Sequence, residues 1–439
     1  MSFELISLLL FGSLVVLIVL GLPLVFALGG IAALFLILGW DPAYYQAIYW
    51  DAKDILSGPH YLAIPLFIFM ACMLERSGIA EDLYEVIYRW AGRLGGGLAM
   101  GTVLICTLLA AMVGLSGAAL TTMGVTALPS MLKRGYDKNM AMGCIAAGGT
   151  LGILIPPSII MLVYAMVARA SVGRLFLAGI LPGLLLASLF ILYIGIRCGF
   201  QPKLAPPIPP EDRANWKEKF TSLKFVILPV FLVVLVLGAI FWGIASITEV
   251  AALGAVGTIV CAAVVRRLRW QNFKEANYET LKLSVMIMWI LIAAQSFSRA
   301  YVVVGVMQYV EQVFAALTFG YWGIILVIEF TFIFLGCFFD PFAILMLSAP
   351  IFVPVIKAYG LDPVWFGIFF VINMEMAYLT PPVGLNLFYM KAVVPPDTTM
   401  GDIYRSVIPF VFIMMLAIVL IVIFPQIVTW LPTLVKGPG

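Results

Sequence analysis

Charge is scarce in this 439-residue chain: 11% of its residues are Asp, Glu, Lys or Arg, against 64% hydrophobic. A soluble domain carries roughly a quarter charged and about half apolar residues, so this balance excludes an ordinary soluble protein. A hydrocarbon core about 30 Å thick needs about 20 apolar residues per helical span. Stretches of that kind recur along the chain, and ten or so spanning or half-spanning helices are predicted. Histidine is almost missing, with His60 alone. The six cysteines (Cys72, Cys106, Cys144, Cys198, Cys261 and Cys337) stand singly in apolar runs without a Cys-x-x-Cys pair. A disulfide framework, a zinc or haem site, and the His/Cys or His/Asp constellation of an intramembrane enzyme all lack support. There is no Gly-x-x-x-x-Gly-Lys-Ser/Thr loop to hold ATP. Work must therefore draw on an ion gradient or another subunit, and neither an organic cofactor nor a nucleic-acid partner is expected. The first 38 residues hold one charge, Glu4, and no basic start with a small-residue cleavage site, which reads as a first membrane segment.

What is present is a repeat. Sliding the chain by 225 residues lays Pro129 on Pro354, Gly135 on Gly360, Asp137 on Asp362 and Leu154 on Leu379. The same shift lays Pro156 and Pro157 on Pro381 and Pro382, and Tyr164 on Tyr389. The copies cover roughly 60–170 and 283–395. Three apolar spans separate them, near 174–199, 224–244 and 246–265, with Ser246 and Glu249 fitting a capping box at the start of the third. An odd number of crossings inverts the second copy, and inverted repeats are typical of secondary transporters. With the loop at 197–224 taken as cytoplasmic, 19 of the 25 lysines and arginines fall on that side, as the positive-inside rule requires. Lys53, Arg169, Arg174, Arg299, Lys357 and Lys436 remain outside. Residues 4–38 are read as two spans split at Gly21-Leu22-Pro23, because a single helix there, at about 52 Å, is too long for one crossing.

Within each copy one apolar run starts and ends on the same side, which predicts a hairpin turning inside the membrane. The first, 97–130, has its tip at Gly114 to Gly117; the second, 321–356, has its tip at "GCFFDPF" with Asp340. The competing reading makes these full spans with small residues at helix contacts. Downstream of each, a long helix (139–170 and 363–395) is broken by the double proline. Proline leaves the carbonyl one turn earlier without its amide, and such carbonyls beside Gly149, Thr150, Asn373, Tyr378 and Thr380 suit a hard cation, sodium in the first instance. The amides at the start of the second half-helix, near Ser158 and Gly384, favour an anion. Arg299 admits two readings: an anchor snorkelling outward, or a guanidinium for a substrate carboxylate. Asp340 either ligates or balances Arg299, and Glu375 either functions or forms an internal ion pair.

The segments "GTLGILIPPSI", "KRGYDKNMA", "LFLAGILPG", "TEVAALGAV" and "INMEMAYLTPPVGLNLF" closely resemble the large membrane subunit of tripartite ATP-independent periplasmic (TRAP) transporters, through nearly the whole chain. The resemblance implies an all-α polytopic protein of the elevator type, with an inverted-topology repeat, two re-entrant hairpins and two broken helices. It implies sodium-coupled uptake of a carboxylate-bearing organic anion across the bilayer of a bacterial inner membrane. It implies as partners a four-helix small membrane subunit and a periplasmic substrate-binding protein. Carried over, sodium lies at Gly114, Ser116, Gly149 and Thr150 and at Asp340, Thr380 and Gly384. Substrate lies between them, by Ser116, Arg299, Asp340, Ser158 and Asn386. The first tip here reads Ser116-Gly117-Ala118-Ala119 where the family more often has Ser-Gly-Ser-Ser, and the second has Asp340-Pro341 where Asp-Gly is common. The chain then divides into N-terminal scaffold helices (1–59), repeat 1 (60–170), central scaffold helices with a cytoplasmic loop at 200–223 (171–282), repeat 2 (283–395) and a C-terminal helix (396–439). Because the chain opens almost directly on its first span, a separate small subunit is expected. The alternative is a stand-alone sodium-coupled anion symporter of the wider ion-transporter superfamily.

Overall fold

The apolar runs form helices because backbone N–H and C=O groups in hydrocarbon must find partners within their own segment. The computed structural model describes residues 3–39, 45–91, 94–209, 214–316 and 320–434, and every regular element among them is a helix. Arg93, Arg213 and Lys436, counted above among the basic residues, lie outside these ranges. Among the described residues, five helices are long and apolar enough to cross a membrane: Val172–Phe200, Ile247–Val264, Trp270–Val303, Pro341–Ala358 and Met400–Ile423. Shorter apolar helices accompany them, including Phe3–Val19, Gly97–Val113, Ile159–Ala168, Tyr321–Gly336 and Pro363–Leu379.

The N-terminal stretch is two helices, Phe3–Val19 and Leu24–Gly39, turned at Gly21 with φ 85°. Ser246 and Glu249 form the capping box that starts Ile247–Val264, each side chain bonding the other's backbone N–H. The segment 396–439 differs from the single helix expected there. It is two helices, Met400–Ile423 and Gln426–Leu434, because Pro425 cannot continue the first.

The repeat appears as one order of elements used twice. In the first copy Gly97–Val113 and Ser116–Lys133 form a helical pair, followed by Lys138–Thr150, a short turn and Ile159–Ala168. In the second, Tyr321–Gly336 and Pro341–Ala358 are followed by Pro363–Leu379 and Leu385–Val393. The Gly-x-Asp signature has a local cause in each. Gly135 and Gly360 take φ of 76° and 72° where a helix ends, a conformation glycine adopts freely. Two residues on, Asp137 accepts a hydrogen bond from Met140 N at 2.9 Å and Asp362 one from Val364 N at 2.8 Å. Each thus caps the helix that will later break.

Candidate transport site

Both breaks fall at the double prolines, which lack the N–H needed to extend the helix. The Pro156-Pro157 and Pro381-Pro382 peptide bonds are cis. Lys138–Thr150 and Ile159–Ala168 are almost entirely buried. Ser158 caps the second of them, its Oγ donating to the Ile153 carbonyl at 2.6 Å and accepting from Met161 N at 3.3 Å. The hydroxyls of Thr150 and Thr380 donate to the carbonyls of Ala147 and Met376, each at 2.7 Å. Their lone pairs stay available to a cation.

The first hairpin tip seats on the first break. Gly114 has φ 64°, and a Cβ there would stand 2.2 Å from the Pro157 carbonyl oxygen. A Cβ on Gly152 would stand 3.0 Å from the Leu115 carbonyl oxygen, and one on Gly149 would meet Leu120 at 2.9 Å. Beyond the tip the same hairpin crosses to the other repeat. Buried Ser116 Oγ lies 2.9 Å from Oδ1 and 2.6 Å from Nδ2 of buried Asn386, 270 residues away. At the second break, a Cβ on Gly384 would meet the carbonyl oxygens of Thr380 and Tyr378, each at 3.0 Å. Carbonyl oxygens, which are hard donors, therefore lie close against glycines at both breaks. Donors of this kind fit sodium.

Asp340 caps Pro341–Ala358, its Oδ1 accepting from Phe342 N at 3.0 Å and Ala343 N at 3.2 Å. The Tyr389 ring fills the space beside Gly117. It thus links the first tip to the second broken helix. Tyr389 was not among the sequence-predicted site residues, although its alignment with Tyr164 at the 225-residue shift marked it.

Ser116 and Asn386 come together, and Gly114, Gly149, Pro157 and Ser158 gather around the first tip. Arg299 does not join them. It pairs with Asp51, Nε donating to Oδ2 at 3.0 Å and Nη2 to Oδ1, and it lies beside Ala165, Met166 and Arg169 at the far end of Ile159–Ala168. That end is roughly 15 Å along the helix from Ser158. Asp51 rather than Asp340 balances the arginine, correcting the second reading of Asp340; the aspartate is only 2% exposed. A further correction concerns Gly384, whose N–H donates to the Thr380 carbonyl at 3.1 Å and so is not free for an anion. Glu375 is fully buried, and among the described residues neither of its oxygens has a hydrogen bond or ion pair, so the internal ion pair considered for it is not formed there. Asn373 bonds Glu329 at 2.9 Å instead.

A family model described as "Tripartite ATP-independent periplasmic transporter, DctM component" matches residues 11–427. The chain is 32% identical over 461 residues to the C4-dicarboxylate TRAP transporter large permease protein DctM of Vibrio cholerae, covering 100% of this chain and 99% of that protein. It is 32% identical over 431 residues to the ectoine/5-hydroxyectoine TRAP transporter large permease protein UehC of Ruegeria pomeroyi, covering 96% and 97%. The crystal structure of the Alcanivorax borkumensis YdaH transporter aligns with a TM-score of 0.64 over 96% of this chain and 98% of that one, at 15% identity. That likeness is one of fold. These relatives are permeases rather than enzymes, and with a family match spanning almost the whole chain, the protein belongs to the DctM family, the large multi-pass membrane subunit of TRAP transporters.

Proposed function

We propose that this chain is the permease of a sodium-coupled uptake system for an organic acid, placed in the bacterial inner membrane. It would receive solute from a periplasmic binding protein and work with a small four-helix membrane subunit. The observation that carries the reading is the seating of the first hairpin tip on the first broken helix, where the Pro157 carbonyl faces Gly114 and the Leu115 carbonyl faces Gly152, together with the Tyr378 and Thr380 carbonyls that face Gly384 at the second break. Sodium sits at Gly114, Ser116, Gly149 and Thr150 and at Asp340, Thr380 and Gly384, with solute between them near Ser116, Asn386 and Ser158. In an elevator cycle the two hairpins and two broken helices move as one body. Relatives are named for C4-dicarboxylate and for ectoine, so the family alone leaves the solute open.

The test is uptake into proteoliposomes. Transport is expected only with an inward sodium gradient, the small subunit and a loaded binding protein together. Equal uptake with potassium on both sides would refute the sodium coupling; uptake of free solute without the binding protein would refute the tripartite reading.

A further inference from the structure

Away from the tips and breaks, a cavity of about 480 Å³ opens where the helix Tyr45–Ser57, the turn Pro59–Leu62 and the helix Trp270–Val303 face the end of Ile159–Ala168. Its polar wall is made by Asp54, His60, Tyr61, Arg169, Gln295 and Arg299. The volume lies in the range of small-molecule sites, about 300–1,000 Å³. The Arg299–Asp51 pair is closed and neutral, yet it commits only Nε and Nη2. The two Nη1 hydrogens, on a side chain 40% exposed, remain for another acceptor.

Two charges on this wall have no such closure. Arg169 ends its helix in the left-handed conformation, φ 52°, and among the described residues its guanidinium has no hydrogen bond or ion pair. The carboxylate of Asp54, on the helix Tyr45–Ser57 that also lines the cavity, has none either among the described residues. The cavity wall therefore carries a free guanidinium and a free carboxylate. It suits a ligand with the complementary polarity.

We propose that this cavity is a second binding site, for a small organic acid with one carboxylate and with hydroxyl or ammonium donors at its other end. The carboxylate bonds Arg169 and the open edge of Arg299, for which a guanidinium fork is well shaped. The donors face Asp54 and the Tyr61 phenol. A dicarboxylate would set its second charge against Asp54, which costs binding through like-charge repulsion. The cavity lies at the end of the molecule that the lysine and arginine distribution places outside, so on the transport reading, on which this clause rests, it is where incoming solute is first held.

The experiment is thiol protection on the full-length protein. Met166, half-buried on the cavity wall, is replaced (Met166→Cys) on a Cys337→Ser background, since the other five cysteines are buried. The rate of reaction with a small neutral maleimide is followed with gluconate or succinate present. Protection equals one plus ligand concentration over Kd, so gluconate at about twice its Kd slows labelling about threefold. Succinate should protect far less. Arg169→Gln should abolish gluconate protection, Arg169→Lys should keep part of it, and Asp54→Asn should admit succinate. An unliganded labelling rate equal to the parent's shows that each variant is folded. No protection by gluconate, or equal protection in Arg169→Gln, overturns the site. Sodium-driven uptake measured on the same preparation separates the two claims. Intact uptake without protection removes the cavity site alone, whereas protection without sodium dependence supports the cavity site and removes the coupling.

Discussion

Replacing Gly114 by alanine tests whether the first hairpin tip must seat on the first break. The backbone there has φ 64°, and a Cβ would stand 2.2 Å from the Pro157 carbonyl oxygen. Holding an L-residue in the left-handed region costs about 1–2 kcal/mol. Overlap with a backbone carbonyl that cannot rotate aside adds about 1–3 kcal/mol. Gly360 separates the two effects: its φ is 72°, but nothing lies within 4 Å of its added Cβ. Gly360→Ala therefore incurs only the conformational cost. In proteoliposomes, if sodium binds at this tip as proposed, its binding in Gly114→Ala must force the displaced tip back against Pro157. An overlap of about 1–3 kcal/mol raises the sodium half-saturation by roughly five- to 150-fold, at 1.4 kcal/mol per factor of ten. Gly360→Ala should stay within about twofold of the parent, because no overlap term applies. If the two variants shift sodium dependence alike, seating of the tip on the break plays no part in ion binding.

Ser116→Ala strips a buried amide of its partner and should cost about 1–3 kcal/mol in unfolding measurements. Because Ser116 and Asn386 bond each other, Ser116→Ala with Asn386→Ala should cost less than the sum by about 0.5–3 kcal/mol; strict additivity would show that the contact is not formed. Arg299→Ala leaves Asp51, 2% exposed, without its counter-charge. Breaking a buried pair costs about 3–5 kcal/mol, and less here because the arginine is 40% exposed. The thermal midpoint should fall and be largely restored by adding Asp51→Asn; a double variant no better than the single would mean that the arginine stabilises through something other than this pair. Ser246→Ala removes the cap of Ile247–Val264 and should cost about 1 kcal/mol, read as a lower thermal midpoint.

The residues that made the repeat legible act on the backbone directly, whatever packs around them. Gly135 and Gly360 mark left-handed positions, Asp137 and Asp362 mark helix starts, and the proline pairs mark breaks. The tips were legible for the same reason, since Gly114 and Asp340 end and begin helices. Pairings between distant side chains were not. Asp51 lies 248 residues before Arg299, in a helix whose sequence does not say which neighbour it will face. The burial of Glu375 without a hydrogen bond and the use of the Gly384 amide by Thr380 likewise depend on how elements close, which spacing along the chain does not encode. Tyr389 joined the site only once the first hairpin and the second broken helix were seen together.

The crossing of the two repeats bears on how the elements can move. The first hairpin seats on its own break through Gly114, but its second helix lies along the second broken helix. A Cβ on Gly117 would meet the Tyr389 ring at 2.8 Å, and one on Gly124 would meet Val393 Cβ at 3.1 Å. Opening the first tip alone would strip the buried Ser116–Asn386 contact, at about 1–3 kcal/mol for the groups left unpaired. Displacing all four elements as one body breaks none of these contacts. Gly124→Cys with Val393→Cys tests the difference, because their Cβ separation falls just below the usual 3.5–4.5 Å of a disulfide, so a slight spreading of the helices closes the bond. Oxidation then staples the first hairpin to the second broken helix. If the body moves as a unit, sodium-driven uptake should persist within about twofold after oxidation, since only relative motion inside the body is blocked. Uptake that stops on oxidation and returns on reduction would instead show that the hairpin must swing away from the broken helix in every cycle.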